Sequence, residues 1–257
     1  MLVDSHCHIP MLGKEMDVNE VIANAKALGV EHMLCVSVDL ETYPEILHLA
    51  EQHERIYASV GVHPNTTMQE EVSEETLAEL ASNDQVIAIG ETGLDYFRSE
   101  GDLEWQRERF RTHIKAAKSV NKPLIIHTRD VGEDITRILK EEGADEVGGV
   151  MHCFVEDWET AQKAMEMNFY ISFSGIVTFK NAKEVQEVAK QVPLERMLVE
   201  TDAPYLTPVP YRGKANQPGY TRYVAEFIAE LKGISFEQVA EQTTANFFEL
   251  FDINKSQ

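Results

Sequence analysis

Leu2-Val3-Asp4-Ser5-His6-Cys7-His8 opens the chain with two apolar residues and then spaces two imidazoles one residue apart. As a β-strand it would rise about 3.3 Å per residue and turn successive side chains to opposite faces, so His6 and His8 point one way and Cys7 the other. Four more apolar runs end in the same style. Glu91 follows Val86-Ile87-Ala88-Ile89, His127 follows Leu124-Ile125-Ile126, His152 follows Val150-Met151, and Asp202 comes after Met197-Leu198-Val199. Six residues of metal-binding type therefore stand at the ends of five strand-like segments. Parallel strands whose ends converge account for that pattern most simply.

Working outward, strand and helix signals alternate along the chain. The strand candidates are Leu2–His8, Val30–Val38, Ile56–Val62, Val86–Gly90, Pro123–His127, Gly148–Cys153, Phe169–Ser174 and Arg196–Thr201. Between them lie amphipathic segments. In Asp17–Leu28 the apolar residues Val18, Val21, Ile22, Ala25 and Leu28 follow helical spacing, Asp17 suits an N-cap and Gly29 a stop. Leu103–Val120, Asp130–Glu142, Asp157–Met167 and Ala182–Gln191 read alike, and Ser235-Phe236-Glu237-Gln238 resembles a capping box opening the last helix. Parallel strands joined by helical crossovers follow. Eight such units predict a closed (β/α)8 TIM barrel, an α/β fold spanning residues 1–257 as one domain. A GxGxxG turn after the first strand, which a dinucleotide-binding fold would want, is missing. The Pro-rich stretch Pro204–Pro218 reads as a substrate-facing loop.

Bulk composition narrows the class. The chain has 257 residues, 43% of them hydrophobic, and no apolar stretch near the roughly 20 residues of a membrane span. Asp4, His6 and His8 interrupt the place where a signal peptide would be apolar. Cys7, Cys35 and Cys153 make an odd number without a CxxC pair, which predicts buried, reduced thiols. A cytoplasmic enzyme without membrane contact is expected. Against 23 Lys and Arg stand 44 Asp and Glu, a net charge of −21. Such a balance argues against gripping long duplex DNA through a broad basic surface, because that mode neutralises many phosphates. It leaves room for an enzyme that takes a strand end into a pocket holding cations.

At the carboxyl ends of barrel strands, where active sites are found, this residue set has definite chemistry. His6 and His8 form a compact chelate, Glu91 can bridge two ions, His127 and His152 can complete the second, and Asp202 can reach the first. Two ions about 3.5–4 Å apart can activate water and polarise a scissile bond. Asp202 can orient or deprotonate that water and pass its proton to the leaving group. The mixed nitrogen and oxygen donors suit zinc, manganese or iron, whereas magnesium usually takes more oxygen. One or two divalent ions are expected, with Mg, Mn and Zn all left open.

Around these positions the motifs are Val3-Asp-Ser-His-Cys-His8, Gly61-Val-His-Pro64, Ile89-Gly-Glu-Thr-Gly-Leu-Asp95, His127-Thr-Arg-Asp130, His152-Cys-Phe154, Glu200-Thr-Asp-Ala-Pro-Tyr-Leu-Thr-Pro208 and Arg212–Pro218. In this order they resemble the TatD family of metal-dependent deoxyribonucleases, within the amidohydrolase-like barrel superfamily, over nearly the whole chain. The resemblance implies metal ligands at His6, His8, Glu91, His127, His152 and Asp202. It also implies hydrolysis of phosphodiester bonds at DNA strand ends, from the 3′ end. Some relatives are credited with removing D-amino acids from tRNA, so ester hydrolysis on aminoacyl-tRNA is the alternative. Two departures stand out: Pro10 after His8-Ile9, where relatives often carry an acidic or amide residue, and Val155-Glu156, where they commonly show Ser-Gly. The second bears on substrate preference more than on metal binding.

Further residues have two readings each. His63, before Pro64, can contact phosphate or the attacking water, or serve structure alone; the resemblance favours catalysis. Arg129 can meet a phosphate or pair with a carboxylate. Arg212, Lys214 and Asn216 can bind substrate, arginine being suited to bidentate phosphate contact, or be solvated loop residues. Asp95 can orient a ligand histidine or cap the next helix, and Glu200, sharing a strand face with Asp202, reads as a buried carboxylate supporting a ligand. Phe154 and Tyr205 can stack on a base or simply pack. Lactonase-like barrels often use a carbamylated lysine on the fourth strand, but here that strand ends Gly90-Glu91-Thr92. A non-catalytic metal-binding barrel is the remaining class, and a ligand set larger than a closed four-ligand zinc cage speaks against it.

Overall fold

In the computed structural model, residues 1–12 and 16–253 are described. Eight strands, β1 (Leu2–Cys7), β2 (Val30–Cys35), β3 (Ile56–Val60), β4 (Val86–Asp95), β5 (Leu124–Arg129), β6 (Gly149–Met151), β7 (Phe169–Phe173) and β8 (Met197–Val199), pair in parallel in the order β1 to β8. The chain just beyond β8 returns to β1: His8 N donates to Ala203 O and Asp202 N to His6 O, each at 2.9 Å. This is the (β/α)8 TIM barrel expected from the alternation. The helices are α1 (Ile9–Leu12), α2 (Val18–Ala27), α3 (Tyr43–Gln52), α4 (Glu74–Leu80), α5 (Glu104–Val120), α6 (Asp134–Glu141), α7 (Trp158–Glu166), α8 (Lys183–Gln191), α9 (Thr221–Lys232) and α10 (Phe236–Leu250).

Local chemistry starts these helices where the side chains require. Asp17 accepts from Asn19 N at the head of α2, Asp157 from Thr160 N at α7, and Ser235 with Gln238 forms the anticipated capping box of α10. Helix α6 begins four residues later than expected because Asp130 and Gly132 take positive φ values of 55° and 53°. Helices α1, α3, α4 and α9 fall outside the segments read as helical from sequence. Helix α3 nevertheless buries a stripe of Tyr43, Ile46, Leu49 and Ala50, and α9 one of Val224, Ala225, Ile228 and Ala229, while α4 buries Leu77.

One inward residue from each strand builds the barrel's inner layer: Val3, Leu34, Tyr57, Ala88, Ile125, Val150, Tyr170 and Leu198. Phe247, Phe248 and Phe251 at the end of α10 seal it from below, contributing roughly 1.5–3 kcal/mol each by burial. Asn246 anchors that helix by donating to Leu194 O and Met197 O, both at 2.8 Å. The amino-terminal end of the barrel is thereby closed. Only the carboxyl end is left for a site.

Above the inner layer, alternation on β5, β6 and β8 carries directly from Ile125 to His127, from Val150 to His152, and from Leu198 to Glu200 and Asp202. On β1 and β4 it does not. There Val3 and Ala88 face inward, so an undisturbed period of two would turn Cys7 and Gly90 to the axis. Each strand slips by one residue against its neighbour, between Asp4 and Cys7 on β1 and between Ile89 and Thr92 on β4. The extra residue re-aims His6, His8 and Glu91 inward. Strand β4 also runs past the expected Gly90 to Asp95, which places Glu91 inside the strand.

Candidate metal centre

Glu91 is the hub. Its Oε2 lies 3.3 Å from His6 Nε2 and 4.0 Å from His8 Nε2. Its Oε1 lies 2.9 Å from His152 Nε2, 3.0 Å from His127 Nδ1 and 3.4 Å from His63 Nε2. Asp202 completes the first side, with Oδ1 3.3 Å from His8 Nε2 and 3.8 Å from His6 Nε2. All six expected ligands thus meet in one place, and His63 joins them through Glu91 and His127. His6 and His152 also stack, with ring centroids 3.8 Å apart.

Hydrogen-bond partners assign the tautomers and so test whether a cation fits. His8 Nδ1 donates to Val36 O at 2.9 Å, and His152 Nδ1 to Glu200 Oε1 at 3.1 Å. His127 Nε2 donates to Asp95 Oδ2 at 3.1 Å. In each ring the other nitrogen then turns a lone pair toward Glu91 and its neighbours. His152 Nε2 is buried with no hydrogen-bond partner among the described residues. Lone pairs of three imidazoles and two carboxylates converging in this way call for positive charge between them, and a divalent cation supplies it where protons otherwise would. The donor set fits one or two such ions, held by His6, His8, Glu91, His127, His152 and Asp202.

His63 differs. Its Nδ1 accepts from Asn65 N at 3.0 Å, so the neutral ring carries its proton on Nε2, the atom facing Glu91. It is placed as a hydrogen-bond donor to the site. Arg109 Nη1 donates to His63 O at 3.1 Å, and buried His113 Nε2 accepts from Val62 N at 2.9 Å, so α5 holds the loop that carries this ring.

Charge follows the same geometry. Burial opposes ionisation of Glu91, but His152, His63 and His127 outweigh it and keep the carboxyl well below the usual range. Burial likewise disfavours a charged His152, yet Glu91 and Glu200 raise its pKa well above normal. His63 is pushed down to about 4, by burial first and then by His127 and His152 against the pull of Glu91. Asp202 stays below the usual carboxyl range because His8 and His6 overcome its burial. With its side chain 15% exposed against 4% for Glu91, Asp202 is the carboxylate open to substrate.

Two carboxylates stand behind the histidines. Glu200 also accepts from Cys153 N at 2.8 Å, and Asp95 Oδ2 accepts from Asn65 Nδ2 at 2.7 Å. Gln106, fully buried, accepts from Asp95 N at 2.8 Å and locks the end of β4. Neither Asn65 nor Gln106 was singled out from sequence; the position of Asn65 next to His63-Pro64 was the available signal. Asp4 was passed over too, although it follows Val3 directly. It is fully buried, and its Oδ1 accepts from Thr201 N at 2.9 Å, tying β1 to the strand that delivers Asp202.

The expected substrate contacts divide. Arg129 lies over the ring of Phe97, its guanidinium carbon 3.9 Å from the centroid, and meets no carboxylate among the described residues. Arg212 is exposed and lies 3.8 Å from the centroid of Phe179, with Lys214 exposed 5.5 Å from that of Tyr211. Asn216 is placed differently from the expected substrate contact. It is fully buried, and its Nδ2 donates to Thr201 O at 2.9 Å and Tyr205 O at 2.6 Å, which pins the Pro-rich loop to the chain beyond β8. Phe154 is buried and packs, while Tyr205 is exposed. Cys7 and Cys35 are buried free thiols and Cys153 is a partly buried one. Glu156 in the β6–α7 loop has a buried Oε1 without a partner among the described residues, and burial, then Asp130 and Asp157, raise its pKa.

A TIM barrel carrying this cluster at its open end is a metal-dependent hydrolase. Comparison with known proteins agrees over the full length. The model of the family described as TatD related DNase matches residues 3–252, and the chain belongs to that family. It is 49% identical over 257 residues to the uncharacterized metal-dependent hydrolase YabD of Bacillus subtilis, covering 99% of this chain and 100% of that one. It is 47% identical to the uncharacterized metal-dependent hydrolase YcfH of Escherichia coli K12, covering 99% and 97%. Among solved structures, YJJV, a TatD homolog from Escherichia coli K12, superposes with a TM-score of 0.88 at 26% identity, covering 98% of each chain. No helix among the described residues is long and apolar enough to cross a membrane.

Proposed function

We propose that this hydrolase is a deoxyribonuclease that cleaves phosphodiester bonds at DNA strand ends, working 3′ to 5′. The observation that carries the reading is the division of Glu91: one carboxylate oxygen faces His6 and His8, and the other faces His63, His127 and His152. A carboxylate shared in this way suits a pair of cations, and paired cations suit displacement at phosphorus, where attacking and leaving oxygens both carry charge. Bound ions would supply Lewis acidity and make water acidic enough to attack near neutral pH.

The chain's own groups do the rest. Asp202, ionised and with a partly exposed side chain, takes the proton of the attacking water and returns it to the departing oxygen. The Nε2–H of His63 donates to a phosphoryl oxygen, while Asp95 and Glu200 hold His127 and His152 in the orientation the site needs. Arg129 at the end of β5, and Arg212 and Lys214 on the Pro-rich loop, are available to phosphates further along the strand. In a chain of net charge −21 these cations favour a strand end over a long duplex.

The test is degradation of single-stranded DNA, labelled at either end, by metal-stripped protein with Mg²⁺, Mn²⁺ or Zn²⁺ restored. Shortening from the 3′ end that needs metal and is lost in Glu91→Ala is the expected result. Intact DNA alongside turnover of a D-aminoacyl-tRNA ester would replace the nuclease reading with acyl hydrolysis.

A further inference from the structure

Apart from Met1, every large apolar side chain exposed among the described residues lies on a segment that follows the carboxyl end of a strand: Met11, Phe97, Trp105, Val155, Tyr205 and Val209. Folding thus leaves apolar side chains in water beyond four of the eight strands, β1, β4, β6 and β8. Phe97 is the most exposed of the six at 60%. It is not loosely placed. The preceding residue, Tyr96, donates its backbone N–H to Arg129 O at 2.9 Å, and its hydroxyl donates to Asp134 Oδ2 at 2.7 Å. The Arg129 guanidinium covers one side of the Phe97 ring at 3.9 Å. The exposed surface of the ring is therefore a flat aromatic face backed by positive charge.

Its position is informative. Phe97 lies two residues beyond Asp95, which holds His127, and Arg129 lies two residues beyond His127 itself. Arg129, the last residue of β5, lies about 7 Å along the strand from His127. A nucleotide with its phosphate at the metal centre can bring its base across such a distance, and an aromatic face accepts any base because each has a π-surface. The guanidinium behind it adds a cation–π contribution and sits within reach of the adjoining phosphate.

We infer that Phe97, backed by Arg129, is a stacking platform for the base of the 3′-terminal nucleotide. The inference rests on the nuclease reading and adds to it the residue that recognises the base.

The experiment measures binding of a short 5′-fluorescein-labelled single strand, with phosphorothioate linkages that resist hydrolysis, to metal-loaded protein by fluorescence anisotropy. Phe97→Ala should weaken binding about tenfold, the loss of one stacked base, and Phe97→Trp should restore it. On a strand whose 3′-terminal nucleotide is abasic, wild type and Phe97→Ala should bind alike. A merely structural role for Phe97 would weaken both strands equally. Equal affinity of Phe97→Ala and wild type for the intact strand, or a loss that persists on the abasic strand, overturns the platform while wild-type cleavage leaves the nuclease reading standing. A wild type that neither binds nor shortens single strands overturns both.

Discussion

Glu200 Oε1 accepts one hydrogen bond from His152 Nδ1 at 3.1 Å and another from Cys153 N at 2.8 Å, which fixes both the tautomer and the direction of the imidazole. Without that carboxylate, the proton of His152 is free to sit on Nε2, the nitrogen turned toward Glu91. Glu200→Ala is therefore expected to lower metal affinity about 10–100-fold while the barrel stays folded. Titration of metal-stripped protein with Mn²⁺ or Zn²⁺ measures this directly, and affinity equal to wild type would show that Glu200 does not set the tautomer.

His63 makes the opposite prediction. Because its Nδ1 accepts from Asn65 N, its neutral ring presents a proton to the site. His63→Ala should retain wild-type metal content and lose roughly 10²–10⁴ in kcat, the usual range for a positioned proton donor. His127→Ala should lose metal and activity together. Metal analysis of the two variants after identical dialysis separates the roles; depletion in both would make His63 a ligand.

The parallel barrel was legible because buried strands leave apolar runs, and their ends carried residues whose chemistry is unmistakable as a group. His127, His152 and Asp202 then follow by simple alternation from Ile125, Val150 and Leu198. The route by which His6, His8 and Glu91 reach the same axis was not legible. It depends on one-residue slips of β1 and β4 against their neighbours, and register is a property of two strands that neither sequence states alone. Asn216 illustrates a second limit. A polar residue in a Pro-rich loop beside two cations looks like a substrate contact, and only its bonds to Thr201 O and Tyr205 O reveal that it holds the loop. Phe97 is the converse: its sequence neighbours give no hint that the ring stays in water.

Gly93 shows how closely β4 and β5 approach at the site. Its φ is 133°, and a Cβ there would lie 2.1 Å from His127 O. Gly93→Ala must relieve that overlap by moving the strand that carries His127, in addition to positive-φ strain of about 1–3 kcal/mol. The variant should be destabilised by more than about 3 kcal/mol in urea unfolding and bind metal weakly. Gly132→Ala is the control, with φ 53° but open space around the new methyl, and should cost only about 1 kcal/mol and leave metal binding intact. Equal behaviour of the two variants would remove the argument from packing.

His113 couples the loop of His63 to pH. The ring is buried, its Nδ1 donates to Arg109 O at 2.8 Å and its Nε2 accepts from Val62 N, an arrangement only the neutral form can keep. Burial lowers its pKa to about 4 against the opposing pull of Arg109 O. Between about pH 4 and the usual histidine value near 6.5, the unfolded chain binds a proton that the folded chain refuses, so stability rises with pH across that window. The contribution is complete above about pH 6.5 and is lost as pH falls toward about 4. Integrated from pH 7 to pH 5, one such group removes about 2 kcal/mol. Glutamine at this position offers a donor and an acceptor but does not titrate. Urea unfolding at both pH values should therefore show wild type losing about 2 kcal/mol more than His113→Gln. Parallel losses in the two proteins would mean that His113 is not the group that takes up the proton.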